Sequence, residues 1–343
     1  MSGPRRRSRW SLFGLVAVAG LGLATVPAHA APALPAPPLD PVAMVGQVAP
    51  AVVNIDTQMG YQSAVGAGTG IVIDPGGVVL TNNHVIAGAT DIKAHSLGSG
   101  QTYDVDVVGF DRSHDVAVLQ LRGAFNLPTA NIGDSGSAGI GEPVVAMGNA
   151  GGQGGTPAAV PGRITALNET VTASDALTGS SETLTNMIKA DTPIKPGDSG
   201  GPMVNGAGQV IGMNTAASEN FQFGGDGYAI PINQAMGIAR QIRSGVSSAT
   251  VHVGPTGFLG VGVADGGGGA EVLQVISGTP AAAAGVNDHD VITAVNGNPV
   301  NSATALTGLL DQQHPGDSVT LTLRGPMAEE RTVTVTLAPG PAG

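Results

Sequence analysis

Short apolar runs separated by glycine-containing turns follow one another from about residue 45 to residue 232, and this rhythm restricts the fold more than any other feature. The segment AGTGIVIDPGGVVLTNNHVI places two such runs around the turn residues 74–77. DVDVVGFD, DVAVLQL, EPVVAMGN and QVIGMNTAA continue the pattern. Because the chain also holds 54 Gly and 24 Pro but only 3% aromatic residues, it favours many turns and short strands over long helices. The sequence therefore predicts a mainly β barrel or sandwich.

The length of 343 residues predicts two domains rather than one. QAMGIARQIR has a helical pattern and closes the β-rich unit, and SGVSSATVHVGPTG is typical of a linker. The predicted segments are a leader at 1–30, a Pro-rich spacer at 31–44, a first domain at 45–244, a linker at 245–257, a second domain at 258–338 and a tail at 339–343.

The first 30 residues have the pattern of a secretory signal peptide. MSGPRRRSRW is cationic, SLFGLVAVAGLGLATV is apolar but short for a membrane span, and Ala28-x-Ala30 fits a cleavage site. We predict cleavage after Ala30 and a secreted or cell-envelope location, with a retained membrane anchor as the alternative. Export permits disulfides, yet the chain has no Cys, so its core alone has to stabilise the fold. The net charge of −11 argues against a nucleic-acid partner.

Three residues in separate motifs have the types and the order of a serine-protease triad. His84 lies at the end of a predicted strand in TNNHV, Asp115 opens the strand in RSHDVAVLQL, and Ser199 lies in KPGDSGGP. Each motif alone is weak, because a lone His is usually structural and DSGG is a common turn composition. Together, in the order His, Asp, Ser, they predict a nucleophilic serine with a base and a group that orients the base.

The residues Gly197-x-Ser199-x-Gly201 also fit the nucleophile motif of α/β-hydrolases. That motif requires a strand, a sharp turn and then a helix, with the acid and the His after the Ser. Here GGPMVNGAGQVIGMN has the pattern strand, turn, strand, and the later histidines lie in the linker or the second domain. The pattern therefore argues against an α/β-hydrolase.

TNNHVI, SHDVAVLQL, PGDSGGP and GMNTAA resemble the HtrA (DegP-like) serine proteases over most of residues 45 to 340. The resemblance implies a trypsin-like domain of two perpendicular six-stranded β-barrels, followed by one small α+β PDZ domain. It implies His84 as general base and acid, Asp115 as its orienting carboxylate and Ser199 as nucleophile. The backbone N–H groups of Gly197 and Ser199 would form the oxyanion hole. Asp198 departs from the Asn that is usual in bacterial members, and is either harmless or a partner for a freed N-terminus.

Substrate preference is inferred from the same resemblance. It implies that Pro193, six residues before Ser199, would line the base of the primary specificity pocket; proline offers no carboxylate, so we expect cleavage after medium aliphatic residues. The strand at 211–216 is expected to pair with an extended substrate as an added edge strand, which favours unfolded polypeptides. The residues assigned to it are Ile211, Met213, Asn214 and Thr215.

The second domain, with FLGVGV, VLQVISGTPAAAAGVNDHDVITAVNGNPV and SATALTGLLDQQ, resembles a PDZ domain. The resemblance implies that the backbone N–H groups of Leu259, Gly260 and Val261 bind a C-terminal carboxylate. Leu306 and Leu310 either face that peptide or are only core residues, because one helix face can serve both purposes.

The sequence predicts no metal site and no cofactor, since Asn287-Asp288-His289-Asp290 lacks the spaced ligands of a calcium loop. The expected partners are polypeptide substrates and C-terminal peptides, and a homotrimer, usual in the family, stays open. The main prediction is an exported endopeptidase whose activity falls between about pH 7 and 6 as His84 gains a proton. The alternative is a latent or inactive protease that acts as a chaperone-like peptide-binding protein.

Overall fold

The structure is a computed structural model that describes residues 39–174, 181–215 and 225–343. The predicted signal peptide and most of the predicted spacer lie outside the described residues. Within those described, no helix has the length and apolarity to cross a bilayer.

The first β-barrel forms from runs of branched apolar residues whose alternate side chains point inward. Its strands follow the order β5-β4-β1-β2-β3-β6, and β5 also pairs with β6, which closes the barrel. Its interior holds Ile55, Val79, Phe110 and Leu119. The strands are β1 (Val52–Met59), β2 (Ala64–Asp74), β3 (Val78–Thr81), β4 (Asp91–Ser96), β5 (Thr102–Asp111) and β6 (Val116–Leu121), with helix α2 (Asn83–Ile86) after β3.

The second barrel closes in the order β10-β11-β12-β9-β8-β7, around Ile164, Ile188, Met203 and Ile211. The mainly β, two-barrel architecture is thus confirmed. A further apolar cluster contains residues of both barrels, such as Leu80 and Met213. The strands are β7 (Pro143–Gly148), β8 (Ala158–Ser174), β9 (Ser181–Ala190), β10 (Pro202–Asn205), β11 (Val210–Thr215) and β12 (Gly227–Pro231), followed by helix α3 (Ile232–Arg243).

Helix α1 (Pro41–Val48) begins inside the predicted Pro-rich spacer, so the last four residues of that spacer are helical. Pro41 occupies the first helical turn, where its missing N–H costs nothing. The Asp40 side chain accepts a hydrogen bond from the Val42 N–H at 2.9 Å and caps the helix. The pair Asp40–Pro41 therefore forms the start of the helix.

The predicted linker at 245–257 is in part a strand. β13 (Val251–Val253) pairs antiparallel with β5 and adds a seventh strand to the sheet of the first barrel. The predicted tail is also bound to this barrel. Ala342 donates its N–H to the Ala89 carbonyl and accepts from the Gly88 N–H, both at 2.8 Å.

The second domain is a small α+β unit, as predicted. Its main sheet has the order β15-β16-β17-β19-β20, which leaves β15 at an edge, and its core includes Val272, Ile292, Leu306 and Leu321. Helix α5 begins after Ser302, whose hydroxyl accepts from the Ala305 N–H. The elements are β14 (Gly257–Phe258), β15 (Val261–Gly266), β16 (Gly269–Val275), α4 (Pro280–Ala283), β17 (Val291–Val295), β18 (Asn298–Pro299), α5 (Ala303–Leu310), β19 (Ser318–Arg324), β20 (Glu330–Thr336) and β21 (Ala338–Pro339).

Candidate active site

His84 and Asp115 are brought together by the first barrel. His84 Nδ1 lies 2.9 and 3.0 Å from the two carboxylate oxygens of Asp115, and the His84 backbone N–H donates to Asp115 Oδ1 at 3.0 Å. This pairing fixes the ring orientation and favours the tautomer with the proton on Nδ1, so Nε2 is available as a base. His84 lies on helix α2 rather than at the end of a strand, because β3 ends at Thr81.

Asp115 is 2% exposed and immediately precedes β6 instead of opening it. Its backbone is left-handed, with φ of +53°, after a short 3-10 turn at residues 112–114. Besides His84, its carboxylate accepts a hydrogen bond from Thr215 Oγ1 at 3.1 Å, and Asn82 Nδ2 donates to its backbone carbonyl at 3.0 Å. A buried carboxylate requires hydrogen-bond partners, and His84 and Thr215 provide them.

Ser199 lies in a turn of the second barrel and is 3% exposed. Gly197 in this turn has φ of +97°, and a Cβ there would lie 2.1 Å from the Asn149 carbonyl oxygen. Gly200 has φ of +83°, and its Cβ would lie 2.0 Å from the Thr69 carbonyl oxygen. Both positions therefore require glycine, because the conformation disfavours a side chain and the backbone leaves no room for one.

Each of the four successive carbonyls of residues 196–199 accepts a hydrogen bond. Their donors, in chain order, are the Gly151 N–H at 2.7 Å, the Thr69 hydroxyl at 2.7 Å, the Gly201 N–H at 3.0 Å and the Thr69 N–H at 2.8 Å. All described peptide bonds are trans, so each carbonyl points opposite to the N–H of the following residue. The N–H groups of Gly197 and Ser199 consequently point away from the donors that hold the Pro196 and Asp198 carbonyls.

Asp198 is 4% exposed and lies directly before Ser199. Its Oδ2 accepts from the Lys195 N–H at 2.9 Å, while Oδ1 is buried with no hydrogen-bond partner in the described part of the chain. Burial raises the pKa of this carboxyl, and the Lys195 N–H and ammonium charge oppose that rise. No described side chain forms an ion pair with Asp198, so the hydrogen bond from the Lys195 N–H, within the same turn, holds its carboxylate.

The predicted substrate strand is wrong over residues 211–213. β11 is paired with β10 on one side and β12 on the other, so Ile211 and Met213 lie inside a closed barrel and their side chains are core. The backbone groups of Asn214 also have partners within the protein. Its N–H donates to the Gly201 carbonyl, its carbonyl accepts from the Gly200 N–H, and its Nδ2 donates to the Met147 carbonyl.

Thr215, the last residue of β11, orients Asp115, a role that the sequence interpretation missed. The remainder of the predicted substrate strand lies outside the described residues. Pro193 is exposed, between the buried Thr192 and Ile194.

In the second domain, Leu259 and Gly260 connect β14 to β15, which begins at Val261. Gly260 has φ of +87°, and a Cβ there would lie 2.2 Å from Thr279 Cβ, so only glycine fits. The Leu259 and Gly260 carbonyls accept from the Ala281 and Ile276 N–H groups. Leu306 is 1% exposed and belongs to the core, which corrects the interpretation that it faces a peptide, whereas Leu310 is half-buried.

Among the residues that the structure describes, no group of three or more His, Asp or Glu is placed to hold a metal ion.

Family models match both domains. The model of the trypsin-like peptidase domain matches residues 68–213, and the model of the PDZ domain matches residues 257–337. The first match contains all three candidate triad residues.

Two serine proteases are among the relatives of this chain. The chain is 36% identical to serine protease PepD of Mycobacterium tuberculosis, over 94% of this chain and 71% of that protein. It is 34% identical to the periplasmic serine endoprotease DegP of Salmonella typhimurium, over 80% of this chain and 57% of that protein. The chain thus spans little more than half of DegP.

Solved structures of similar architecture include the HtrA-type protease AlgW with a tripeptide, with a TM-score of 0.52 and 29% identity, over 89% of this chain and 99% of that one. A serine endoprotease from Yersinia pestis has a TM-score of 0.50 and 28% identity over the same shares of the two chains.

Proposed function

We propose that this chain, which belongs to the HtrA (DegP-like) family of serine endopeptidases, cleaves extended or unfolded polypeptides with Ser199 as nucleophile and His84 as general base. The observation that carries the proposal is the buried Asp115 carboxylate, which contacts His84 Nδ1 and is itself held by Thr215. A carboxylate so arranged has the role of orienting a catalytic imidazole.

In the first half of the reaction, Ser199 Oγ attacks the peptide carbonyl while His84 Nε2 takes its proton. Asp115 stabilises the imidazolium that forms. The N–H groups of Gly197 and Ser199 donate to the developing oxyanion, and the supported carbonyls of residues 196–199 favour this arrangement. His84 then protonates the leaving amine, which leaves an acyl-enzyme.

In the second half, His84 takes a proton from water and the resulting hydroxide attacks the acyl-enzyme. Collapse of the second tetrahedral intermediate returns the proton to Ser199 and releases the new carboxyl terminus. The same imidazole therefore acts once as base and once as acid in each half.

Medium aliphatic residues are the proposed cleavage sites, because Pro193 offers no charge to a Lys or Arg side chain. Thr215, at the end of β11, is the proposed pairing position for the substrate backbone, since the preceding residues of β11 already have partners on both sides.

The PDZ domain is proposed to bind C-terminal peptides along the β15 edge, with the N–H groups of Leu259, Gly260 and Val261 as carboxylate donors. Leu310, half-buried on α5, is the remaining helical contact for the peptide. An HtrA-type relative solved with a decapeptide, at a TM-score of 0.51 and 26% identity, fits this use of the fold. Peptide binding is expected to stimulate cleavage.

An extracytoplasmic location fits the relatives that are named periplasmic, and the proposed leader at 1–30 with cleavage after Ala30 supplies the route. A homotrimer is the proposed assembly on family grounds alone.

The test uses the exported chain with a fluorophosphonate probe and with unfolded casein, each with and without hydrophobic C-terminal peptides. Ser199→Ala and His84→Ala are expected to lower kcat by about 10⁴-fold to 10⁶-fold. His95→Ala is the matched control, since His95 belongs to the same barrel and its ring forms a hydrogen bond with the Thr102 hydroxyl on the neighbouring strand. If folded wild type neither labels nor cleaves under any of these conditions, the latent, chaperone-like alternative replaces the protease.

A further inference from the structure

Every polar group of Thr69, in β2, forms a hydrogen bond at the interface between the two barrels. Its N–H donates to the Ser199 carbonyl at 2.8 Å, and its own carbonyl accepts from Thr81 Oγ1 at 2.7 Å. Its hydroxyl donates to the Gly197 carbonyl at 2.7 Å and accepts from the Asn149 N–H at 2.8 Å. Thr69 is fully buried, so water does not compete for these bonds.

The orientation of this hydroxyl is unambiguous. An amide N–H can only donate and a carbonyl oxygen can only accept, so the hydroxyl has to receive from Asn149 and give its proton to Gly197. The bond therefore has one direction. The Thr69 side chain, in the first barrel, holds the Gly197 carbonyl in the turn of the second barrel that carries Ser199 (residues 196–200, the nucleophile turn).

The peptide between Gly197 and Asp198 is held at both ends as a result. Its carbonyl is bound by the Thr69 hydroxyl, and its N–H donates to the Lys195 carbonyl at 2.9 Å. Because Gly197 has no side chain and a φ of +97°, its own conformational preference does little to hold the neighbouring peptides in place. Without the hydroxyl, the Gly197 carbonyl would be buried and unpaired, and rotation of the turn would become favourable.

We propose that the Thr69 hydroxyl is a positioning group that holds the nucleophile turn in the conformation in which the Gly197 and Ser199 N–H groups meet the oxyanion. This inference rests on the proposed function and assigns to β2 a part in the reaction that the triad does not include. Thr69 touches no substrate and acts only through the turn.

The test compares Thr69→Val, which keeps the shape but removes the hydroxyl, with Thr69→Ser, which keeps the hydroxyl. For Thr69→Val we expect kcat to fall about 10-fold to 100-fold, below the loss for an oxyanion donor itself, with KM within about twofold. Affinity for a peptide boronic acid, whose tetrahedral adduct occupies the oxyanion hole, should fall by the same factor as kcat/KM. Thr69→Ser should stay within about threefold of wild type in all three quantities.

Thr57→Val is the matched control. Thr57 is a buried threonine of the same barrel, 1% exposed, and its hydroxyl has no hydrogen-bond partner among the described residues. The same chemical change there should leave kcat and KM unaltered. The acid limb of the pH profile should keep its midpoint in Thr69→Val, because the contacts of His84 and Asp115 are unchanged.

Wild-type kcat in Thr69→Val, or a loss shared equally by Thr69→Ser, would overturn the inference while leaving the protease intact. So would a loss that merely follows the fraction of unfolded protein. An inactive wild type would remove the proposed function and this inference together. If Thr69→Val does not fold, Thr69→Ala against Thr69→Ser provides the same comparison of chains without and with the hydroxyl.

Discussion

Asp198 is an ionisable residue in a buried position that does not favour its charge. Its carboxylate is buried beside the nucleophile, with one oxygen bonded to the Lys195 N–H and the other unpaired within the described residues. Burial raises its pKa, so folding favours the protonated form. The stability that this group contributes is complete below its unfolded pKa and is lost as pH rises through its folded pKa.

Asp198→Asn should therefore stabilise the fold at neutral pH, because the amide keeps an oxygen for the Lys195 N–H but carries no charge. We expect Tm to rise by about 1–2 °C near pH 7, equivalent to about 1 kcal/mol in a chain of this size. The gain should shrink as the pH is lowered through the raised pKa of Asp198, because the wild-type carboxyl then becomes protonated and loses its buried charge. Scanning calorimetry of both proteins across this range provides the measurement.

Asp56→Asn is the control for that experiment, since Asp56 is exposed on β1. Its Tm difference from wild type should be small and independent of pH. A lower Tm for Asp198→Asn at neutral pH would show that the Asp198 charge stabilises the turn and would contradict the argument from burial.

At the scale of elements, β13 shows how a segment with the composition of a linker becomes part of a sheet. It pairs with β5, with His252 opposite Phe110 and Val253 opposite Gly109. Gly109 lies beside a register shift in the β5–β6 pairing, and a Cβ there would lie 2.4 Å from the His252 carbonyl oxygen. The close approach of β13 therefore depends on the missing side chain of Gly109.

Gly109→Ala should displace β13 from β5, because the clash is with backbone and cannot be relieved by a rotamer change. We expect a loss of about 1–3 kcal/mol in unfolding free energy and faster proteolytic cleavage within residues 245–257. Gly139→Ala is the control, since a Cβ at Gly139 would meet no atom within 4 Å. Equal cleavage rates in both variants would mean that β13 docking does not depend on Gly109.

At the scale of the whole molecule, the PDZ domain is attached to the first barrel close to Asp115. Arg112, three residues before Asp115, donates from Nε to Asp311 Oδ2 at 2.7 Å and from a terminal nitrogen to Oδ1 at 3.1 Å. His252 of β13 stacks between Phe110 and His314, with centroid distances of 5.0 and 4.7 Å. These contacts place the end of α5 against the 3-10 turn at residues 112–114, directly before Asp115.

Breaking the Arg112–Asp311 pair should weaken the attachment of the PDZ domain to the first barrel. A double-mutant cycle with Arg112→Ala and Asp311→Ala should give a coupling energy of about 1 kcal/mol, because the pair is bidentate and only partly exposed. Small-angle scattering should show a larger radius of gyration for each single variant. Arg122→Ala, which breaks an exposed pair with Asp106 inside the first barrel, should not change it. An unchanged radius in all variants would show that the remaining contacts suffice.

The sequence predicted much of this molecule because much of it depends on local patterns. Alternating apolar runs predicted the strands of both barrels, and the helical spacing at 234–243 predicted α3. His84, Asp115 and Ser199 were identified because their neighbours form recognisable motifs. Predictions failed where pairing partners mattered: β11 was expected to pair with the substrate, yet it is paired with strands on both sides.

The amino-acid sequence by itself determined the β-rich fold, the two domains and the candidate triad, since residue order and periodicity act over a few neighbours. Only the tertiary structure decided how the site is supported. Thr69 and Thr215 are ordinary strand threonines in sequence, yet their hydroxyls bond to Gly197 and Asp115, 128 and 100 residues away along the chain. Such bonds leave no pattern in the local sequence. Each joins a hydroxyl of one barrel to a carbonyl or carboxylate of the other, and these buried polar groups obtain their hydrogen-bond partners only when the two barrels pack together.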